Sequence, residues 1–377
     1  MHIIYNIAGT RHSGGMERVL ANKANWLVAH GHKVTIVTTD QCGEQPFFAL
    51  DERIECHDLA IGYEENNGGS FLNKLVHYPF KQRLHRKRLE TLLMRLRADV
   101  VVSMFCNDAG FLPKINDGSR KVLEIHFSRF KRLQYGRKGL FALADRWRSR
   151  NDISVVSRFD RFVVLTNEDR GYWGDLHNIC VIPNARTFAV DTPAALDNKV
   201  VLASGRYCHQ KHFDALIDAW AMVCREETGW TLRIVGDGED RAALETQIDA
   251  LGLTDCVQLG KVAAADMLQT YLDASVFAMT SRYEGLPMVL LEAQAAGLPI
   301  VSYACKCGPR DLVEDGKNGI LVEEGDVRGM ADGLLRLMRD ADLRKQMGAQ
   351  AFKDSERFTE QKVMAIWESL FNELCRP

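Results

Sequence analysis

The chain has 377 residues, more than one hydrophobic core usually organises, so two domains are expected. Hydrophobic residues make up 46% and charged residues 26%, an ordinary globular balance. No apolar run reaches the roughly 18 residues of a transmembrane helix.

The net charge of −2 hides an asymmetry: residues 1–190 hold 28 Lys+Arg against 20 Asp+Glu, whereas the remainder holds 20 against 30. The first half therefore suits an anionic surface or substrate, unless the two halves have simply drifted apart in charge. The start MHIIYNIAG lacks the basic and long apolar regions of a signal peptide and reads as a buried strand. A helical stretch follows, in which Val19, Leu20, Leu27 and Val28 share a face and Gly31 supplies the stop. KVTIVTT and the later runs ADVVVSM, RKVLEIHF, RFVVLT and CVIPN are short and β-branched, the pattern of parallel strands buried on both faces. Among them, residues 75–97 combine Lys and Arg with leucines at helical spacing. That fits a helix resting on anionic lipid headgroups, or a solvated face packed on its own sheet. Arg129, Lys131, Arg132, Arg137 and Lys138 add to the basic character of this half.

Residues 187–198, TFAVDTPAALDN, break the periodicity and read as a linker. The alternation then restarts with KVVLASG and continues through TLRIVG, VQLG, VFAMTS, LPIVSY and GILVE. The fold class is thus α/β, with two Rossmann-like domains over residues 1–188 and 189–355 and a final helix over 356–377. Their parallel sheets are expected to face each other across a cleft that collects the loops after the strands. The ten cysteines are scattered, and the pair Cys305 and Cys307 has no second pair to complete a metal spacing. Buried free thiols in a reducing cytoplasm are expected.

Three loops carry the chemistry. In GTRHSGGMERV, Gly14 and Gly15 let a backbone approach a ligand closely, ahead of a helix N-terminus that favours an anion. A tight turn without a ligand is equally open. The loop does not fit G-x-G-x-x-G, which makes an NAD-dependent dehydrogenase a poor reading. In ASGRYCHQKHFDAL, Arg206 leaves a strand end and Lys211 stands just before a helix. Two cations there suit a pyrophosphate, with a solvated basic loop as the alternative. In TSRYEGLPMVLLEAQAAGLPIVSY, Glu284 and Gly285 occupy a loop and Pro287 fits the first turn of a helix. N–H groups around Leu286 and Met288 would point toward a phosphate. Glu292, about one turn into that helix, can accept two hydrogen bonds from a ribose diol, or face water as an ordinary helical carboxylate.

In combination, GG near the start, SGR with a Lys shortly after, E-x7-E in EGLPMVLLE, AAGLPIV and GPRDLVEDGKNGILV make the chain resemble glycosyltransferase family 4 over nearly its whole length. The resemblance implies the GT-B architecture and a retaining transfer from a nucleotide diphosphate sugar, with no metal ion or other cofactor. By the same resemblance Arg206 and Lys211 neutralise the donor diphosphate, Glu292 holds the ribose, and Glu284 contacts the donor sugar or organises its loop. The N–H groups near Gly285 and Leu286 add to diphosphate binding, and Gly14 and Gly15 approach the phosphates from the other domain. His126, in EIHFS at a strand end, matches the family position beside the donor sugar; by itself it reads as a core histidine. Asp237-Gly238-Glu239 only approximates a metal-binding D-x-D and reads as the turn into a helix. The incoming hydroxyl would attack from the leaving-group side and give its proton to the departing phosphate, so no enzymic nucleophile is required.

The expected catalytic set is therefore Glu284, His126, Arg206 and Lys211, and the substrate-binding set is Gly14, Gly15, Gly285, Leu286 and Glu292. GPRDLVEDG resembles bacterial polysaccharide-building members, which favours a UDP-sugar over a GDP-sugar as the donor of a hexose or N-acetylhexosamine; the resemblance implies a glycan or lipid-linked saccharide acceptor, in cell-surface polysaccharide biosynthesis. The expectation is a cytoplasmic enzyme, peripheral at the inner face of the membrane, with no nucleic-acid partner. In this architecture the final helix crosses back onto the first domain. A GT-B nucleotide-sugar epimerase or hydrolase, and a non-catalytic nucleotide-sugar-binding subunit, stand as alternatives.

Overall fold

The computed structural model describes residues 1–66, 71–130 and 149–376, so Lys131, Arg132, Arg137 and Lys138 of the basic segment lie outside the described residues. The chain divides into two compact units. One comprises residues 1–165, 170–182 and 364–377, and the other comprises 166–169 and 183–363.

In the first unit, β1 (His2–Ile7), β2 (Lys33–Thr38), β3 (Glu55–Asp58), β4 (Val100–Ser103), β5 (Arg120–Glu124), β6 (Arg161–Val164) and β7 (Ile179–Val181) form one sheet. Its order is β3-β2-β1-β4-β5-β6-β7, and every pairing is parallel. Parallel strands need crossovers that cover both faces of the sheet, which is why Ile3 to Ile7 and Val100 to Ser103 are buried without alternation. The first helix, Gly15–Ala29, buries Val19, Leu20, Leu27 and Val28, and Gly31 follows it at φ +84°. That positive φ is the conformation a helix stop of this kind requires. The helix Phe71–Leu96 buries Leu89, Leu92 and Leu93. Of the C-terminal helix Glu360–Cys375, the part from Met364 onward belongs to this unit. Trp367 and Phe371 are buried there, Arg120 donates to the carbonyl of Leu374 (3.0 Å), and Arg161 pairs with Glu373.

The second unit repeats the plan. Strands β8 (Val200–Ser204), β9 (Thr231–Val235), β10 (Val257–Gly260), β11 (Val276–Met279), β12 (Ile300–Tyr303) and β13 (Gly319–Val322) lie in the order β10-β9-β8-β11-β12-β13, again all parallel. Leu216, Ile217 and Trp220 of helix Phe213–Glu226 and Leu334 and Leu337 of helix Val327–Arg339 fill its core. Helix Met288–Ala295 is buried continuously from Leu290 to Ala295. Residues 187–198 carry no regular element, yet they are fastened rather than loose. Val190 and Leu196 are buried, Ala194 N–H donates to Ala296 (2.8 Å), and Arg344 Nε donates to the carbonyl of Leu196 (3.1 Å).

In both sheets the strand order reverses beside the first strand, between β1 and β4 and between β8 and β11. Such switch points open a crevice beyond the carboxyl ends of the strands, where open α/β sheets bind ligands. All ten cysteines are free, but only Cys208, Cys305 and Cys307 are buried. Cys42, Cys56 and Cys375 are exposed, against the expectation of buried thiols. Among the described residues no helix is long and apolar enough to cross a membrane.

Candidate functional site

The loops at the β8/β11 switch point are tied together. Gly205 follows β8 at φ +154°, and a Cβ there would lie 3.1 Å from Lys211 Cε. Glycine thus lets the lysine stem lie across the strand end. Lys211 Nζ donates to Glu284 Oε1 at 2.6 Å, and both side chains are largely buried, 17% and 9% exposed. The backbone fixes the glutamate: its N–H donates to Lys306 (2.9 Å) and its carbonyl accepts from Cys307 (3.1 Å). Gln210 Nε2 donates to the carbonyl of Tyr283 (2.8 Å), and Thr280 Oγ1 donates to the carbonyl of His212 (2.9 Å). His212 takes φ +53°, a strained conformation for a non-glycine residue, immediately after the lysine.

Arg206 is exposed and makes no hydrogen bond or ion pair with any described residue. The two cations expected to serve one diphosphate are therefore differently disposed. Lys211 is committed to a buried carboxylate, which would be costly to leave unpaired. Arg206 projects into solvent.

Beyond Gly285 and the buried Leu286, Pro287 stands at the N-cap of helix Met288–Ala295 rather than in its first turn. No side chain caps this end, so its first N–H groups have no side-chain acceptor at the cap. Gly308 closes over the turn at φ +100°, where a Cβ would lie 2.5 Å from Pro287 Cδ. Glu292 does not face water: it is 7% exposed, and its Oε2 accepts a hydrogen bond from the hydroxyl of Tyr271 at 2.8 Å. The segment containing Asp237 turns into helix Arg241–Ala250, and its carboxylate pairs with Lys261 (2.6 Å) and Arg241 (3.6 Å). Its glycines are needed for close approach, because a Cβ at Gly236 would fall 1.9 Å from the carbonyl oxygen of Gly205.

In the first unit, Gly14 is the N-cap of helix Gly15–Ala29, at φ −74° and without a side-chain cap. A Cβ at Gly15 would meet nothing within 4 Å, and the nearest atoms to one at Gly14 would be those of the Glu17 carboxylate. The backbone itself does not demand glycine at either position. His126 Nε2 lies 3.0 Å from Glu124 Oε1, off the line of a good hydrogen bond. Lys23 Nζ donates to both carboxylate oxygens of Glu124, and it sits 4.1 Å from the ring centroid of Trp367. Burial pushes the Glu124 carboxyl up, but Lys23 and then His126 outweigh it and hold the pKa at about 2. Burial lowers the Lys23 pKa, with Glu124 pulling the other way. The sequence reading missed Glu124, Lys23 and Tyr271. Only Glu124 left a local signal, an acid two residues before a histidine at the end of a strand.

Residues 13–186 match Glycosyltransferase Family 4, and residues 185–354 match Glycosyl transferases group 1. A Haemophilus influenzae protein described as an uncharacterized glycosyltransferase is 30% identical over 366 residues, covering 95% of this chain and 96% of its own. The amylovoran biosynthesis glycosyltransferase AmsD of Erwinia amylovora is 28% identical over 386 residues, covering 97% and 98% of the two chains. Among solved structures, a mutant of S. aureus TarM in complex with fondaparinux, alpha-GlcNAc-glycerol and UDP aligns with a TM-score of 0.75 at 18% identity. That alignment covers 98% of this chain and 99% of the other, and it carries the fold.

Proposed function

The chain belongs to glycosyltransferase family 4 and has the GT-B architecture, and from that premise we propose that it moves a hexose or N-acetylhexosamine from a UDP-sugar, with retention and without a metal ion, to a glycan or lipid-linked saccharide. It is a transferase of polysaccharide or glycan biosynthesis. The observation that carries the proposal is the Lys211–Glu284 pair at the β8/β11 switch point, with the uncapped helix after Pro287 following Glu284 in the same loop and Arg206 following β8.

Breaking the anomeric bond leaves an oxocarbenium-like sugar and a diphosphate that gains negative charge. Cations and helix N–H groups already in place stabilise that charge more in the transition state than in the ground state. Arg206, exposed and uncommitted, is the forked donor for the diphosphate. Lys211 is a point charge held ready by Glu284, and an arriving diphosphate gives it a second anion to contact. These two cations do the work that a metal performs in other sugar transferases. The attacking hydroxyl passes its proton to the departing phosphate, so the protein contributes charge and position rather than a nucleophile. Glu292 takes the ribose, and Gly14, Gly15 and His126 are assigned to the donor by the family resemblance. UDP is favoured because the TarM mutant is in complex with it, and a glycan acceptor because AmsD is an amylovoran biosynthesis glycosyltransferase. The basic helix Phe71–Leu96 is assigned to an anionic membrane surface.

Thermal unfolding in the presence of UDP- and GDP-sugars, followed by a transfer assay in EDTA, tests this reading. A ligand at a hundred times its dissociation constant adds about 2.7 kcal/mol of stability. The expected result is stabilisation by the UDP series, diminished in Glu292→Ala, with transfer that survives chelation. Stabilisation by GDP-sugars alone would change the base. Transfer lost in EDTA and restored by Mn²⁺ would overturn the metal-free mechanism.

A further inference from the structure

We propose that Tyr271 is a positioning residue for the donor's ribose, holding the carboxylate of Glu292 in the orientation that receives the sugar hydroxyls. The inference rests on the assignment of Glu292 to the ribose. Tyr271 belongs to the short helix Met267–Leu272, just ahead of β11, and its hydroxyl donates to Glu292 Oε2 at 2.8 Å across 21 residues of sequence. Both groups are buried. The phenol ring is itself held: it stacks on Phe277 with centroids 5.6 Å apart, and Phe188 meets its edge at 5.8 Å.

The last torsion of a glutamate side chain is broad and nearly two-fold, so burial alone does not choose one orientation of its oxygens. A fixed phenol hydroxyl does choose one. A carboxylate offers about four acceptor sites, so the bond from Tyr271 and those from a diol can share it. The arrangement acts on specificity. A site built to hydrogen-bond hydroxyls rejects a ligand lacking them, because a buried acceptor is then left short of partners. That rejection is sharpest when the acceptor cannot turn away.

Tyr271→Phe removes the hydroxyl and keeps the ring between Phe188 and Phe277, so the core stays filled. Calorimetry on the full chain would compare UDP with 2′,3′-dideoxy-UDP, with the corresponding guanosine pair run in parallel. The wild-type protein is expected to favour the ribonucleotide by at least about tenfold, which is roughly 1.4 kcal/mol. In Tyr271→Phe the ratio should fall to about threefold or less, through weaker binding of the ribonucleotide. A ratio equal to that of the wild type overturns the role of Tyr271 and leaves Glu292 in place. Equal affinity of the wild-type protein for both ligands of each pair overturns the ribose assignment and this inference with it. Parallel weakening of both ligands shows a loosened site rather than a positioned carboxylate, and also overturns the proposal.

Discussion

Lys211 and Glu284 couple a structural need to a chemical one. A carboxylate only 9% exposed requires a partner, and the 2.6 Å contact from Lys211 supplies it. If the lysine only satisfied the glutamate, removing both charges would restore the protein. If it also stabilises charge on the donor diphosphate, the repaired protein would still be slow. Lys211→Ala is therefore expected to lower both the melting temperature and turnover, the latter at least about tenfold, or roughly 1.4 kcal/mol of transition-state stabilisation. Adding Glu284→Gln should recover much of the melting temperature and little of the rate. Steady-state kinetics and thermal unfolding on the double variant and on each single variant decide the matter, with Glu284→Gln alone as the reference for the rate that the glutamate itself carries. Recovery of turnover along with stability would reduce the lysine to a structural partner.

At the scale of elements, helix Gly15–Ala29, strand β5 and the C-terminal helix meet at one buried charge pair, Lys23 with Glu124, beneath Trp367. The Glu124 pKa falls from an ordinary value of 4.5 to about 2 in the fold. A depressed carboxylate contributes stability that is present above about pH 4.5 and is lost as the pH falls toward 2. Urea midpoints measured across that window should drop with acid. Lys23→Met should flatten the drop, because the carboxylate no longer has its main cation. At neutral pH the same variant leaves a buried charge unpaired and should cost roughly 3–5 kcal/mol, most of it restored by adding Glu124→Leu. An Lys23→Met protein as stable as the wild type would show that the pair carries no weight. This pair also marks the limit of what the sequence reveals. The buried stripe of the first helix and its stop at Gly31 were legible because they are periodic and local, and so were the β-branched strands. A lone lysine in that helix looks like a solvated charge until strand order brings Glu124, 101 residues away, against it. The bond from Tyr271 to Glu292 was hidden for the same reason, although Glu292 itself was legible, and the 187–198 segment read as a linker because its fastening to Ala296 and Arg344 is nowhere local.

For the whole molecule, part of the cationic excess of residues 1–190 lies in helix Phe71–Leu96. Its leucines do not act together. Leu89, Leu92 and Leu93 are buried, while Phe80 (65%), Leu84 (39%) and Met94 (46%) are exposed. At 3.6 residues per turn these three share one side with Arg83, Lys87 and Arg88, all exposed. That side joins apolar groups to a cationic rim, as an interfacial helix does, while the opposite side belongs to the core. A transferase that met a lipid-linked acceptor would gain from such a surface, since it would be held where that acceptor is anchored. Each basic residue near an anionic bilayer contributes about 1 kcal/mol, so Arg83→Gln with Lys87→Gln should weaken partitioning by roughly thirtyfold. Phe80→Ser should weaken it further while leaving the melting temperature unchanged, since that ring is mostly in solvent. Co-sedimentation with phosphatidylglycerol vesicles, phosphatidylcholine vesicles and rising salt measures this directly. Binding should require the anionic lipid and decline as salt screens the charges. Equal binding to both lipids, or indifference to the two glutamines, would mean that this helix serves the sheet beneath it and that the acceptor is met elsewhere.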